Sequence, residues 1–406
     1  MFVHNVKDKY FTLSFLAILL FPLFPNIMGS SQVHINVLVL LVSILPLFFV
    51  KIRINKVHIS LLCYFTLCQL LLIPSAINDL SNKDVGLSMI TSFLRPLLIY
   101  ITYLSLVVII DNVSLEKIFS ILKVFVIISI TYAFIEIFLL DYVKQLIFTL
   151  YKREHRENLY NVATTFFGTS YYSGYVYFSI FTLFLTRLEL DKNKSTIFVT
   201  IASLLLVFLS QSKMLILAVL LAILIYGYLS NSKAFKVIVT IMLFSILLLL
   251  LNLESFFNYV EKYDLGFFRS LKTLLMYSSE SNTLNFRIEQ IEYATSLVFN
   301  SNVITGVGLA QDEMLESWIA LFMYRYGLIG VFSFIILCFY LSRYCLVAMN
   351  ADKNNVRLLS KSIFIWVMLL PVSQLSSAMI ETSKMSYLSS FFFALLTITY
   401  DRSKHE

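Results

Sequence analysis

The feature that most constrains this chain is the spacing of its polar breaks. Apolar runs near the roughly 20 residues that cross a bilayer follow one another from Phe11 to Tyr400, separated by short polar turns. One interruption is long. From Leu253 to Gly330 the sequence has enough polar residues to face water, yet it keeps regular apolar spacing. Such a chain folds as helices that span a membrane, because backbone exposed to lipid must satisfy its hydrogen bonds within its own segment. The runs predict spans at 11–28, 33–50, 57–77, 87–110, 118–140, 169–187, 195–210, 214–229, 235–252, 328–347, 362–381 and 385–400. The stretch 195–229 is divided at Ser210-Gln211-Ser212-Lys213, since one span does not need that length. The expected fold is all-α: a single integral membrane domain over 1–406, with about 12 transmembrane helices and one large helical loop at 253–327.

Composition agrees. Hydrophobic residues make up 59% of the chain, charged residues 14%, and the mean hydropathy is +0.83. A soluble domain of this length has no use for that much apolar surface. The 37 Phe and 24 Tyr suit lipid-facing surfaces and interfacial belts. The net charge of +7 is scattered over the polar breaks and forms no basic groove, so no nucleic-acid partner is expected. With the N-terminus in the cytoplasm, 18 Lys and Arg fall on the cytoplasmic side and 12 on the other, with Arg95 inside a span. By the positive-inside rule this places both termini in the cytoplasm and the long loop outside it. Lys7 and Lys9 before an apolar run resemble a signal peptide, but the run reaches Met28 without a small-x-small cleavage site, so a retained first helix is expected. The polar loop 141–168 reads as a solvated connector. No internal repeat of the inverted-transporter kind is visible.

Cys63, Cys68, Cys338 and Cys345 all lie in apolar runs and read as small fillers, and the five histidines are dispersed, so no metal site is expected. No Walker motif, dinucleotide fingerprint, H-E-x-x-H or Asp-x-Asp occurs, which argues against an ATP-driven pump or a metal-dependent nucleotide-sugar transferase.

The long loop is formally acidic, with nine Asp or Glu against four Lys or Arg over 253–316. Ile288, Ile291, Ala294 and Val298 share a helical face, with Asn282 or Asn285 as N-cap and Arg287 in the first turn. A second helix is expected from Asp312 as N-cap, with Leu315, Trp318, Ile319, Phe322 and Met323 on its apolar side and Gly327 at its end. Gly306 and Gly308 permit a tight turn between the two. Charges at membrane depth cost about 2.5–3.5 kcal/mol even on a lenient scale, so each asks for an explanation. Arg95 reads as a cation aimed at a phosphate, as a snorkelling arginine, or as a partner for Glu136. Lys213, at a helix start where free N–H groups favour an anion, reads either as an anion ligand or as an ordinary charged turn. Arg287 is an exposed helical arginine or a phosphate ligand. Glu316 is a general base or part of a solvated face, with Glu313 and Asp312 as rivals. Arg325 complements a helix dipole, while Glu136 and Glu381 have no evident partner.

Three patches carry a resemblance. They are Phe208-Leu209-Ser210-Gln211-Ser212-Lys213; Asn285-Phe286-Arg287 with the later Gly306-Val307-Gly308; and Tyr326-Gly327-Leu328-Ile329-Gly330. In order, spacing and loop placement they resemble the O-antigen polymerase and ligase superfamily of bacterial envelope glycosyltransferases. Lysine stands at 213 where that superfamily usually has arginine. No histidine lies between His155 and His405, where its ligases carry one before the glycine pair. The resemblance therefore implies the polymerase branch, with the loop periplasmic and the protein in the bacterial inner membrane. It implies transfer of a growing glycan from undecaprenyl diphosphate to the non-reducing end of a lipid-linked repeat unit, without metal or other cofactor. Arg287, Lys213 and Arg95 would hold the diphosphate, Glu316 would serve the acceptor hydroxyl, and Gly306, Gly308, Gly327 and Gly330 would shape the loop. A chain-length regulator in the same membrane is the implied protein partner. The rivals are an O-antigen ligase and a lipid-linked oligosaccharide flippase.

Overall fold

The computed structural model describes residues 2–20, 45–48, 52–82, 87–139, 162–167, 169–230, 251–262, 282–309, 315–382 and 384–404, with isolated positions between 142 and 145 and between 233 and 244. Most of the spans expected at 33–50 and 235–252, the end of 11–28, most of the 141–168 connector, and Asp312 and Glu313 lie outside the described residues. Among the described residues the fold is all-helical, with no strand. The helices are α1 (Phe2–Leu20), α2 (Lys56–Asn82), α3 (Leu87–Asn112), α4 (Leu115–Phe138), α5 (Ser170–Arg187), α6 (Lys194–Leu209), α7 (Lys213–Leu229), α8 (Leu253–Lys262), α9 (Asn282–Asn300), α10 (Trp318–Ala348), α11 (Asn354–Met368), the short α12 (Leu370–Ser373) and α13 (Ser386–Arg402). Four of them, in α2, α3, α4 and α10, are long and apolar enough to cross a membrane, and α6 and α7 are shorter apolar helices.

Two helices form the centre. Every residue of α13 from Ser386 to Tyr400 is buried, as is every residue of α5 from Ser173 to Thr186. A helix buried all round has neighbours on every side: α13 packs on α3, α11 and α10, and α5 on α6, α11 and α7. Their hydroxyls bond across helices, as from Tyr175 to Ser389 (3.0 Å) and Tyr103 to Thr397 (2.8 Å), while Trp366 Nε1 donates to Ser179 (3.0 Å). Such bonds average well under 1 kcal/mol each in membranes, so they fix register more than they stabilise. The outer helices keep one apolar face uncovered, including Ile59 and Leu62 on α2, Val124 and Ile128 on α4, and Ile335 and Phe339 on α10. These faces are what lipid would cover.

Two expected spans differ from the helices found. The span at 328–347 begins earlier, at Trp318, and α10 is kinked at Gly327, whose backbone stands at φ 64°, ψ −166°. Gly327 therefore ends the helical run that starts at Trp318, as the sequence suggested, and a second run continues directly from Leu328. The span at 362–381 is not continuous: α11 stops at Met368, α12 follows, and a 3-10 turn covers Met379–Glu381. Non-helical backbone at this depth is tolerated only where protein buries it or it lines a cavity. At the α10 kink the partner is the loop after α9. Leu328 N donates to Val303 O (3.0 Å), and Val307 N donates to Tyr324 O (2.7 Å). This approach needs glycine on both sides. Gly306 has φ 81°, and a Cβ there would lie 2.5 Å from Tyr324 O; a Cβ on Gly327 would collide with Ile304 O. Gly327→Ala is therefore expected to destabilise the protein by about 3 kcal/mol or more, since the conformation alone costs about 1–3 kcal/mol for a non-glycine residue. Thermal unfolding of the detergent-purified variant measures this.

Candidate functional site

The site is assembled from the two irregular segments and the start of α9. On α9 Gln290, Ala294 and Val298 are buried, Arg287 and Ile291 are half-buried and Ile288 is exposed, so the expected face is covered at Ile291, Ala294 and Val298 but gives way to Arg287 and Gln290 at its start. The reason is tertiary: α9 packs on α10, and what it meets there at its near end is polar backbone. Because the helix already starts at Asn282, Arg287 is in its second turn, and Asn285 lies inside the helix rather than capping it.

Residues 315–318, which precede and begin α10, run beside residues 374–378. Ala378 N donates to Glu316 O (2.8 Å) and Trp318 N to Gln374 O (3.4 Å). Gln290 Oε1 accepts from Glu316 N (3.0 Å) and Ser317 N (3.4 Å), which satisfies donors at the helix start. The helix begins at Trp318 with Ser317 as N-cap, not near 312 as the sequence suggested. Arg287 Nη2 donates to Glu316 Oε2 at 2.6 Å and to Ser376 O at 2.8 Å. Tyr171 OH reaches Glu316 Oε1 at 3.5 Å. Both side chains of the ion pair are 20% exposed, so the pair is sheltered but reachable.

Lys213 begins α7 after the break, where Gln211 has φ 55°. It stands close enough to Arg287 for the two cations to repel. The break is held from behind. Ala163 N donates to Leu209 O (3.0 Å), while Thr164 N and Thr165 N donate to Glu136 Oε1 (3.3 Å) and Oε2 (2.8 Å). Glu136, expected to lack a partner, is thus a buried backbone clamp. Glu136→Gln turns one acceptor into a donor facing N–H groups, and is expected to lower stability by about 1–3 kcal/mol, read as a shift of the thermal unfolding midpoint.

Arg95 is not the partner of Glu136. It lies within electrostatic reach of Arg325, Glu381, Tyr326 and Tyr172. Glu381 in turn is fully engaged: Arg325 Nη1 donates to its Oε2 (2.9 Å) and Tyr326 OH to its Oε1 (2.8 Å). Arg325 and Glu381 are 6% exposed, so Arg325 is an interior ion-pair partner rather than a dipole complement. Tyr172 connects the two groups, sensing both Glu316 and Arg95 and bonding to Thr382. Of the glycines, Gly306 and Gly327 make the close approach described above. Gly330 lets the Tyr326 side chain pack, because a Cβ there would overlap it. Gly308 is buried in the same loop.

Arg287, Glu316, Lys213 and Arg95 therefore gather at one end of the bundle. Sequence reasoning missed Gln290, Tyr171, Tyr172, the Ser376 carbonyl and the pairing of Arg325 with Glu381. The last left a signal: opposite charges in apolar segments are stable only if they meet. Among these groups four cations face two carboxylates. In a low-dielectric setting that excess attracts an anion.

No protein-family model matches this chain, and no curated protein matches it. The class that fold and site define is a protein that is all-helical among the described residues, with four helices long and apolar enough to cross a membrane and a sheltered cationic cluster at one end.

Proposed function

We propose that the chain is an O-antigen polymerase of the bacterial inner membrane, with about 12 spans, cytoplasmic termini and the Arg287 end of the bundle in the periplasm. Its substrate would be a glycan on undecaprenyl diphosphate. The observation that supports this best is the Arg287–Glu316 ion pair beside Lys213: a cation pair able to take a diphosphate, joined to a carboxylate able to take a proton. In the resting arrangement each satisfies the other. An incoming diphosphate competes with Glu316 for Arg287, and this frees the carboxylate for the acceptor hydroxyl. The acceptor oxygen then attacks the anomeric carbon, its proton passes to Glu316, and the glycosidic C–O bond breaks with its electron pair moving to the diphosphate. Arg287 and Lys213 stabilise the charge that grows there. Arg95, one group deeper, extends the positive field. No metal or nucleotide enters this scheme, since the lipid diphosphate is already a leaving group.

The test is the glycan ladder of a strain deleted for the gene. Single repeat units on lipid A core, restored to a ladder by the wild-type gene, support polymerisation. Polymer that accumulates on the carrier lipid while core stays bare would make the protein a ligase. Repeat units retained on the cytoplasmic face would make it a flippase.

A further inference from the structure

A second polar site lies at the other end of the bundle. The Arg287 cluster sits near the start of α13, whereas this cavity sits at its end. It measures about 490 Å³ and is walled by the start of α2 and by the last turns of α3 and α13. Among the described residues its charged lining is Arg53, Arg402, Asp111 and Asp401, formally balanced. Arg402 and Asp111 form a loose, exposed pair at 3.5 Å. The α2 end is fixed, since Asn55 Oδ1 caps Val57 N (3.0 Å) and His58 N (3.2 Å), and Asn55 Nδ2 ties it to Thr397 O (3.2 Å). The wall is thus built from three helices rather than from one mobile loop.

We infer that this cavity binds the headgroup of an aminophospholipid, a zwitterion with a phosphodiester and a primary ammonium. Four observations carry the assignment. First, α2 and α3 are two of the helices long enough to cross a membrane, so their ends lie where lipid headgroups lie. Second, the balanced lining discriminates by charge. A purely anionic headgroup would meet Asp111 and Asp401, and a cation would meet Arg53 and Arg402, each with repulsion. Third, the ends of α3 and α13 bring C-terminal carbonyls and their partial negative charge beside the two aspartates. These are acceptors, and a primary ammonium offers three N–H donors to them. Fourth, among the described residues no Phe, Tyr or Trp lines the cavity. A quaternary ammonium is recognised by aromatic faces, so a choline headgroup finds nothing suited to it here. The guanidiniums of Arg53 and Arg402 fit the phosphate.

The inference stands apart from the proposed transfer reaction, and its test does not use that reaction. The full-length wild-type chain is released from micelles holding equal amounts of phosphatidylethanolamine, phosphatidylcholine and phosphatidylglycerol, and retained lipid is counted by native mass spectrometry. Phosphatidylethanolamine should exceed each of the others by about tenfold, roughly what one charge-assisted hydrogen bond supplies. Asp401→Asn should erase the preference over phosphatidylglycerol, while Arg53→Gln, at an exposed position, should weaken retention of the preferred lipid. Equal retention of all three lipids, or a preference untouched by both substitutions, would overturn the site. Preference for phosphatidylglycerol would make it an anion site instead. Displacement of the lipid by equimolar soluble phosphoethanolamine would overturn the lipid in favour of a free zwitterion.

Discussion

Arg287→Ala is expected to abolish the glycan ladder at matched protein level, with transfer reduced by about 10²–10³, the range seen when one donor to a developing oxyanion is removed. The expectation follows from position. Arg287 is the residue that joins the α9 helix, the Glu316 carboxylate and the Ser376 carbonyl in one contact set. Its loss removes a cation from the diphosphate and also leaves Glu316 without its orienting partner. Arg287→Lys separates these effects. Lysine keeps the charge but not the planar fork that reaches two acceptors at once, so it should restore a short, faint ladder. Glu316→Gln tests the other half of the pair. It removes the proton acceptor while keeping the shape, and should lose transfer while leaving retention of the lipid-linked substrate intact. If Arg287→Ala and Glu316→Gln both give full-length ladders, the site is elsewhere. The folded state is monitored alongside by unfolding temperature, since the pair is 20% exposed and a sheltered surface pair contributes modestly to stability.

Glu381→Ala is the substitution with the largest expected effect on the fold. It strands Arg325 in the interior with its charge uncompensated and removes the acceptor of Tyr326 OH. Breaking one side of a buried pair costs about 3–5 kcal/mol. The double replacement Arg325→Met with Glu381→Leu should recover most of that loss, because apolar side chains of similar volume often substitute for a buried pair without penalty. A thermodynamic cycle over Arg325→Met, Glu381→Leu and the double variant that combines them therefore gives a large coupling. A double variant whose loss equals the sum of the two single losses would mean that the pair adds nothing beyond its individual side chains. Arg95 makes the result informative for function as well. It senses both Arg325 and Glu381, so a stable double variant that still fails to polymerise would assign the pair a part in holding Arg95 toward the substrate.

The glycine pair shows where sequence and structure divide the work. Gly306 and Gly327 stood out as permissive positions, and the turn and the break occur there. What the sequence could not state is that they face each other across one close approach, with reciprocal hydrogen bonds between loop and broken helix. Glycine reports that an unusual conformation is permitted, while the partner that requires it is set by packing. The α9 helix teaches the same lesson with the opposite outcome. Ile291, Ala294 and Val298 of its expected face are covered, yet Ile288 is exposed while Gln290 is buried, because at this end the neighbour offers carbonyls and a carboxylate rather than an apolar surface.

By itself the sequence determined the all-helical class, the membrane-crossing length of the runs in α2, α3, α4 and α10, the division of α6 from α7 at Ser210–Ser212, and which charges needed explanation. These follow from local physics: an apolar run of sufficient length has one stable form in lipid, and a charge inside it has a cost independent of its neighbours. Only the tertiary structure decided who pairs with whom: Arg287 with Glu316, Arg325 with Glu381, Glu136 with the Thr164 and Thr165 amides. Each contact joins residues at least 28 positions apart in the chain. The first two depend on where α10 breaks and α11 stops, the third on the segment before α5, and helical periodicity alone does not carry that information.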